Sequence, residues 1–194
     1  MKEVVTSAVL AIAVLTSGCQ KKTEPPPAAP VSAAPAVTAP AAPAVTAPAA
    51  AAPVLSPEAY GPIRFGATVA ELETIAGEKS EPLGADGGNP DCSYIKLKKF
   101  PGLNFMVEKG IVTRADAEPG LENITGLDIG DSPDAVKKKH PEATVTPHKY
   151  VPGGHDVTIA GAAKTAIVLE DDGKKIIGIR AGGEPAVSYS EGCS

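Results

Sequence analysis

Side chains able to do chemistry crowd one short stretch of this chain, His148-Lys149-Tyr150-Val151-Pro152-Gly153-Gly154-His155-Asp156. Two imidazoles there, with Glu142 or Asp156 as a third donor, are the ingredients of a divalent-metal site. Their spacing matches no zinc signature, so no metal is expected. Two readings remain open for the stretch. His148, Lys149, Tyr150 and His155 form a recognition patch, of the kind that loops carry. Alternatively, the stretch is a Gly-Pro hairpin loop whose His and Tyr bond to backbone. Asp86-Gly87-Gly88-Asn89-Pro90-Asp91 has the look of a calcium loop, but it lacks the ligand order and the terminal bidentate Glu and reads as a plain loop. There is no G-x-S-x-G, no H-E-x-x-H and no G-x-x-x-x-G-K. No catalytic residue is named, no cofactor is expected, and the chain does not read as an enzyme.

The chain has three cysteines, Cys19, Cys92 and Cys193. Val4 to Leu15 is an apolar run too short to span a bilayer as a stable helix. Thr16, Ser17 and Gly18 lead from it into Cys19. This segment resembles the lipobox of bacterial lipoproteins, which implies residues 1–18 as a signal peptide and Cys19 as the lipidated N-terminus; the plainer alternative is a secretory peptide cut near Gly18. By the sorting habit of such lipoproteins, Gln20 after the cysteine points to the outer membrane. With Cys19 lipidated, Cys92 and Cys193 are left as an even pair in an oxidising compartment, and a bridge between them is expected. It would close a loop of about 100 residues, worth about 4 to 5 kcal/mol in the chain-entropy description.

The elements that must position these groups start only after a long preamble. Half of the 20 Pro lie between Pro25 and Pro57. There Ala34-Pro35-Ala36-Val37-Thr38-Ala39-Pro40 recurs as Ala42-Pro43-Ala44-Val45-Thr46-Ala47-Pro48. Each Pro fixes its own φ and pushes its predecessor extended, so residues 19–57 read as a lipidated cysteine followed by a disordered, semi-stiff tether. Residues 58–194 then hold every Phe and Tyr and nearly all the Gly.

Within 58–194 a shift of 64 residues superposes Ile63-Arg64-Phe65-Gly66-Ala67-Thr68 on Leu127-Asp128-Ile129-Gly130-Asp131-Ser132. Both end in a hydroxyl residue suited to an N-cap. Thr68 has Glu71 in the capping-box position, and Ser132 has Pro133 at N1. The patterns predict helices over Val69 to Ala76 and Pro133 to His140. Alternation predicts hairpins through Lys109-Gly110 and through Asp171-Asp172-Gly173, preceded by strands over Cys92 to Leu97 and Asp156 to Ala160. The expected fold is α+β: two tandem helix-plus-three-strand repeats, about 60–120 and 121–184, forming one antiparallel sheet with two short helices on one face.

The tandem unit resembles the repeat of β-lactamase-inhibitor-like proteins and the single unit of SmpA/OmlA-type outer-membrane lipoproteins. The whole domain is similar to a family of uncharacterised bacterial envelope lipoproteins, some of them labelled lectins. That similarity rests on Gly61-Pro62-Ile63-Arg64-Phe65-Gly66, Asn104-Phe105-Met106-Val107-Glu108, Pro147-His148-Lys149-Tyr150 with Gly154-His155, and Glu191-Gly192-Cys193. It implies a non-enzymatic envelope protein. The chain carries a formal net charge of -5, without the basic face a nucleic-acid binder uses, so nucleic acid is not an expected partner. The expectation is an outer-membrane-anchored periplasmic lipoprotein that binds another envelope protein, as an enzyme inhibitor or an assembly factor. The alternative is a glycan ligand, for which Tyr94, Tyr150 and Tyr189 are the available aromatic platforms in a chain with no Trp.

Overall fold

A computed structural model describes residues 52–84 and 91–193, all within a unit spanning Ala47–Ser194. The segment 1–18, the lipidation candidate Cys19, most of the Pro/Ala tract and the loop at Asp86–Pro90 lie outside the described residues. The fold takes hold ahead of Glu58. Leu55 is fully buried, its N–H donates to Glu122 O and its carbonyl accepts from Ile124 N.

A small antiparallel pair follows, β1 (Ala59–Tyr60) and β2 (Ile63–Arg64). Helix α1 (Val69–Ala76) starts at the expected capping box: Glu71 N donates to Thr68 Oγ1 (3.2 Å) and Thr68 N donates to Glu71 Oε2 (2.8 Å). The Thr68 N–H holds the Glu71 carboxyl below the usual carboxylate range. Gly77, in the left-handed region at φ +73°, ends the helix. Next come β3 (Glu81–Pro82), β4 (Cys92–Lys96), β5 (Leu103–Glu108) and β6 (Ile111–Ala117). The second half repeats the order: α2 (Pro133–Lys139), capped by Ser132, then β7 (Thr144–Pro147), β8 (His155–Ala160), β9 (Thr165–Asp171) and β10 (Ile176–Gly183). Each helix is thus followed by four strands rather than three. The added ones, β3 and β7, are short edge strands that each contain a proline, where a missing N–H costs least. Their brevity and proline content hide them from an alternation search.

The eight strands β3 to β10 form one antiparallel sheet in the order β3-β4-β5-β6-β10-β9-β8-β7. Each half is a four-strand meander, and the two meet through their last strands, with Ala115 opposite Ala181 and Asp116 opposite Arg180. Hydrogen bonds recur across the halves at a separation of 64. Gly66 N donates to Val112 O and Val112 N to Ala67 O; Gly130 N donates to Ile176 O and Ile176 N to Asp131 O. Both glycines have positive φ, +96° and +103°, which only Gly adopts without strain. The β5–β6 ladder skips Thr113 and the β9–β10 ladder skips Ile177, again 64 apart.

Leu103, Phe105, Val112, Ile167, Leu169 and Ile176 point to one face and share a core with Leu72 of α1 and Val136 of α2. The opposite face carries Met106, Ala166 and Val168. These are covered by the C-terminal segment through Ala186 and Val187 of a single 3₁₀ turn (Ala186–Ser188). Among the described residues no helix is long and apolar enough to cross a membrane.

Leu72 is fully buried, whereas Ile75 on the same helix is 38% exposed. Leu72→Ala should lose about 2–5 kcal/mol in urea denaturation, and Ile75→Ala well under about 1 kcal/mol. Similar losses for both would mean that α1 does not pack as described.

Candidate functional site

The stretch His148–Gly154 connects β7 to β8 and turns sharply over the end of the β9–β10 hairpin. Gly154 sits so close there that a Cβ would come 2.3 Å from Asp171 O. The imidazole of His148 lies beneath this loop, with its side chain only 7% exposed. Nδ1 accepts from the backbone N–H groups of Tyr150 (3.0 Å) and Val151 (3.1 Å). The hydrogen-bond pattern therefore places the imidazole proton on Nε2, which faces Glu170 Oε1 at 3.5 Å. His148 thus fixes the loop from inside and is not offered to a ligand. His155 does related work one turn away. Its Nδ1 lies 3.2 Å from Asp171 Oδ1, and the same carboxylate oxygen accepts from Gly173 N at 2.7 Å. The third histidine, His140, caps α2 and lies between Glu142 Oε1 and Thr125 O.

Below the loop, Glu170 joins a buried network that sequence reasoning did not anticipate. Arg180, 3% exposed, pairs through Nη1 with Glu170 Oε1 and through Nη2 with Asp156 Oδ1 (3.2 Å), while its Nε donates to Val187 O (2.6 Å). Arg114, 6% exposed, donates from Nε to Asp116 Oδ1 (2.7 Å) and from Nη1 to Tyr189 O (2.6 Å) and Ala186 O (3.3 Å). Its Nη2 donates to Tyr94 Oη (3.2 Å). Two buried guanidiniums therefore hold the C-terminal segment by three main-chain carbonyls. Charge-assisted bonds of this kind are among the stronger ones available to a protein. Burial, followed by the negative charge of Asp116, pushes the Tyr94 phenol up to about 12.

The segment's far end is tied covalently. Cys193 forms a disulfide with Cys92 at the start of β4, across 101 residues of chain and a Cα–Cα distance of 5.4 Å. Gly192 lies against the Tyr94 ring at φ +64°, where a Cβ would meet Tyr94 Oη at 2.3 Å. Residues 184–193 thus form a strap, clamped by arginines in the middle and bonded at the tip.

Loop and strap together build a mixed polar and aromatic surface. Lys149 and Tyr150 from the loop stand outward, Tyr150 half exposed, with Lys149 Nζ 4.7 Å from the centre of the Tyr150 ring. Tyr189 and Glu191 from the strap stand beside them, and Lys149 Nζ lies 3.6 Å from Glu191 Oε1. A cleft of about 350 Å³ opens between the two, lined by Lys149, Ser188, Tyr189, Ser190, Glu191 and Gly192. Of the four expected binding residues, Lys149 lines this cleft and Tyr150 stands beside Lys149, whereas His148 and His155 support the loop from within.

His148, Asp156 and Glu170 place three ligand atoms within 4.8 Å of one another. Each is already engaged. Arg180 lies against both carboxylates, and coordination through His148 Nε2 would require either the loss of two loop hydrogen bonds or an imidazolate. The donor set is arranged as a hydrogen-bond network rather than a cation cage. Comparison with known protein families, curated proteins and solved structures finds no match to this chain.

The Tyr94 proton gives this site a measurable alkaline signature. An unfolded tyrosine ionises near pH 10, while folded Tyr94 holds its proton to about 12. Between those values the folded chain binds more protons than the unfolded one, so stability should fall as pH rises. Tyr94→Phe should flatten that decline in urea midpoints taken from about pH 9.5 to 11.5. Parallel declines in both proteins would place Tyr94 outside the buried network.

Proposed function

We propose that this protein is an outer-membrane-anchored periplasmic lipoprotein whose folded domain is a non-enzymatic protein-binding module, acting as an envelope enzyme inhibitor or an assembly factor. The domain arose by duplication of one helix-plus-meander unit. The observation that carries the binding reading is the cleft lined by Lys149, Tyr189 and Glu191, with the exposed Tyr150 ring beside Lys149. Exposed tyrosines mixed with charged and small polar residues give contact area at low side-chain entropy cost, which is the composition recognition surfaces favour. Both halves of the cleft are fixed from beneath, so binding would order little that is not already ordered.

The duplication is supported by the recurrence at a separation of 64 of the cap, the positive-φ glycine, the strand-to-turn hydrogen bonds and the skipped residue. Anchoring is supported by the apolar run ahead of Cys19 and the Pro/Ala tract after it. A glycan is the second reading, because Tyr150 and Tyr189 both expose ring surface beside the hydrogen-bonding groups of Lys149, Ser190 and Glu191.

Photo-cross-linking in intact cells tests the binding reading, with benzoylphenylalanine introduced in place of Ser190 in the full chain. A discrete protein adduct is expected, lost when Tyr150→Ala and Tyr189→Ala are combined and retained in Ile75→Ala. An adduct indifferent to the tyrosines would reject the cleft. A glycan-array signal with the same tyrosine dependence and no protein adduct would establish the second reading instead. Cys19→Ser should move the chain from the membrane fraction to the soluble one.

A further inference from the structure

We propose that His148 is a proton-operated anchor of the recognition surface: neutral, it holds the turn that presents Lys149 and Tyr150, and on taking a second ring proton it releases that turn. This control of the surface rests on reading the cleft as the binding site. Both nitrogens of the neutral ring are engaged. Nδ1 accepts from Tyr150 N (3.0 Å) and Val151 N (3.1 Å), and Nε2 faces Glu170 Oε1 at 3.5 Å. A neutral imidazole has one donor and one acceptor nitrogen, so the second proton must enter at Nδ1. There it points at two N–H groups, and both loop bonds are lost. Turning the ring over does not restore them, because both nitrogens of an imidazolium are donors.

The charged groups around the ring decide which side gives way. β8 contributes Asp156 and β9 contributes Glu170, and each places a carboxylate oxygen within 4.8 Å of a His148 ring nitrogen. β10 contributes Arg180, which pairs with both carboxylates. From the loop itself, Lys149 reaches outward to Glu191 at 3.6 Å, and the Tyr150 ring centre lies 6.4 Å from that of the imidazole. A charged ring therefore keeps attractive partners beneath it and loses partners only above. The ring stays in place and the turn moves.

Bonds that do not involve the ring set the extent of the movement. His148 N donates to Gly154 O and Gly154 N donates to Val151 O, each at 2.9 Å. Gly154 remains seated against Asp171 O. The loop thus stays attached, and only the turn through Lys149 and Tyr150 is re-aimed. The Lys149–Glu191 pair resists little, since its side chains are 65% and 48% exposed. The other two histidines face acceptors instead: His155 meets Asp171 Oδ1, and His140 lies between Glu142 Oε1 and Thr125 O. Loss of the Tyr150 and Val151 bonds therefore reports on His148.

Solution NMR of the full chain, titrated from about pH 8 to about pH 5, the span in which histidine ordinarily changes charge, tests the anchor without any partner. At the upper end the His148 ring should show a bare Nδ1 and a protonated Nε2. As the ring charges, the Tyr150 and Val151 amide protons should shift upfield with the same midpoint, because their acceptor is withdrawn. His148→Asn supplies a side-chain oxygen that accepts from the N–H groups just ahead of it and does not titrate, so these two amides should stay fixed across the range. The cross-link from position 190 should weaken at least about fivefold on acidification in the parent chain and change less than about twofold in His148→Asn. Nδ1 already protonated at the upper end, a ring neutral throughout, amides unmoved while the ring charges, or the same amide titration in His148→Asn would each overturn the anchor. An adduct equally strong at both ends in the parent chain would overturn its control of binding. The binding reading fails separately, through the absence of any tyrosine-dependent adduct at the upper end, whatever the amides do.

Discussion

Two positive charges buried on one sheet face set the terms for much of this structure. A guanidinium withdrawn from water is tolerable only when its donors are met by acceptors in good geometry. Arg114 and Arg180 sit on the two central strands, β6 and β10, where neighbouring strands cannot supply enough acceptors. Asp116, Asp156 and Glu170 answer part of the demand. The remainder comes from main-chain carbonyls of the strap, which cannot leave without unpairing donors of both guanidiniums. The outer face of the sheet is therefore closed by electrostatic necessity as much as by the small apolar contacts of Ala186 and Val187.

That constraint also divides the labour between the two faces. The inner face is a conventional apolar core, in which α1 and α2 cover Phe105, Leu169 and their neighbours. The outer face is polar, networked and strapped, and it carries the cleft. The halves share positive-φ glycines at 66 and 130 and ladder-skipped residues at 113 and 177. They diverge in outer-face side chains: the position of Asp116 in one half holds Arg180 in the other.

Much of the inner architecture was legible in the sequence because it depends on local rules. Thr68 with Glu71 and Ser132 with Pro133 announce helix starts, and Gly110 and Gly173 mark hairpin turns within one or two residues of the alternating strands. Strands β3 and β7 were not legible, because they are short and carry Pro82 and Pro147 on the edges. His148 was singled out for its chemistry, but whether an imidazole faces water or accepts two backbone N–H groups depends on where the chain turns three residues later. Arg114 and Arg180 gave no signal of their own, since a charged residue alternating along a strand normally faces solvent. Residues 184–193 cover them, and for Arg114 that contact joins parts of the chain more than 70 residues apart, although for Arg180 it reaches only Val187.

The attachment at Leu55 has a mechanical consequence. Leu55 runs parallel to Asn123, with its N–H on Glu122 O and its carbonyl receiving Ile124 N, and its side chain is sunk in the main core. A pull on the chain ahead of Leu55 would act along that short parallel contact, loading both hydrogen bonds together rather than peeling them one after the other. The segment it grips, 122–124, lies between the two halves in sequence. Tension entering from the N-terminal side would thus be delivered to the seam between the halves, and the strap and cleft on the opposite face would be spared the first of the load.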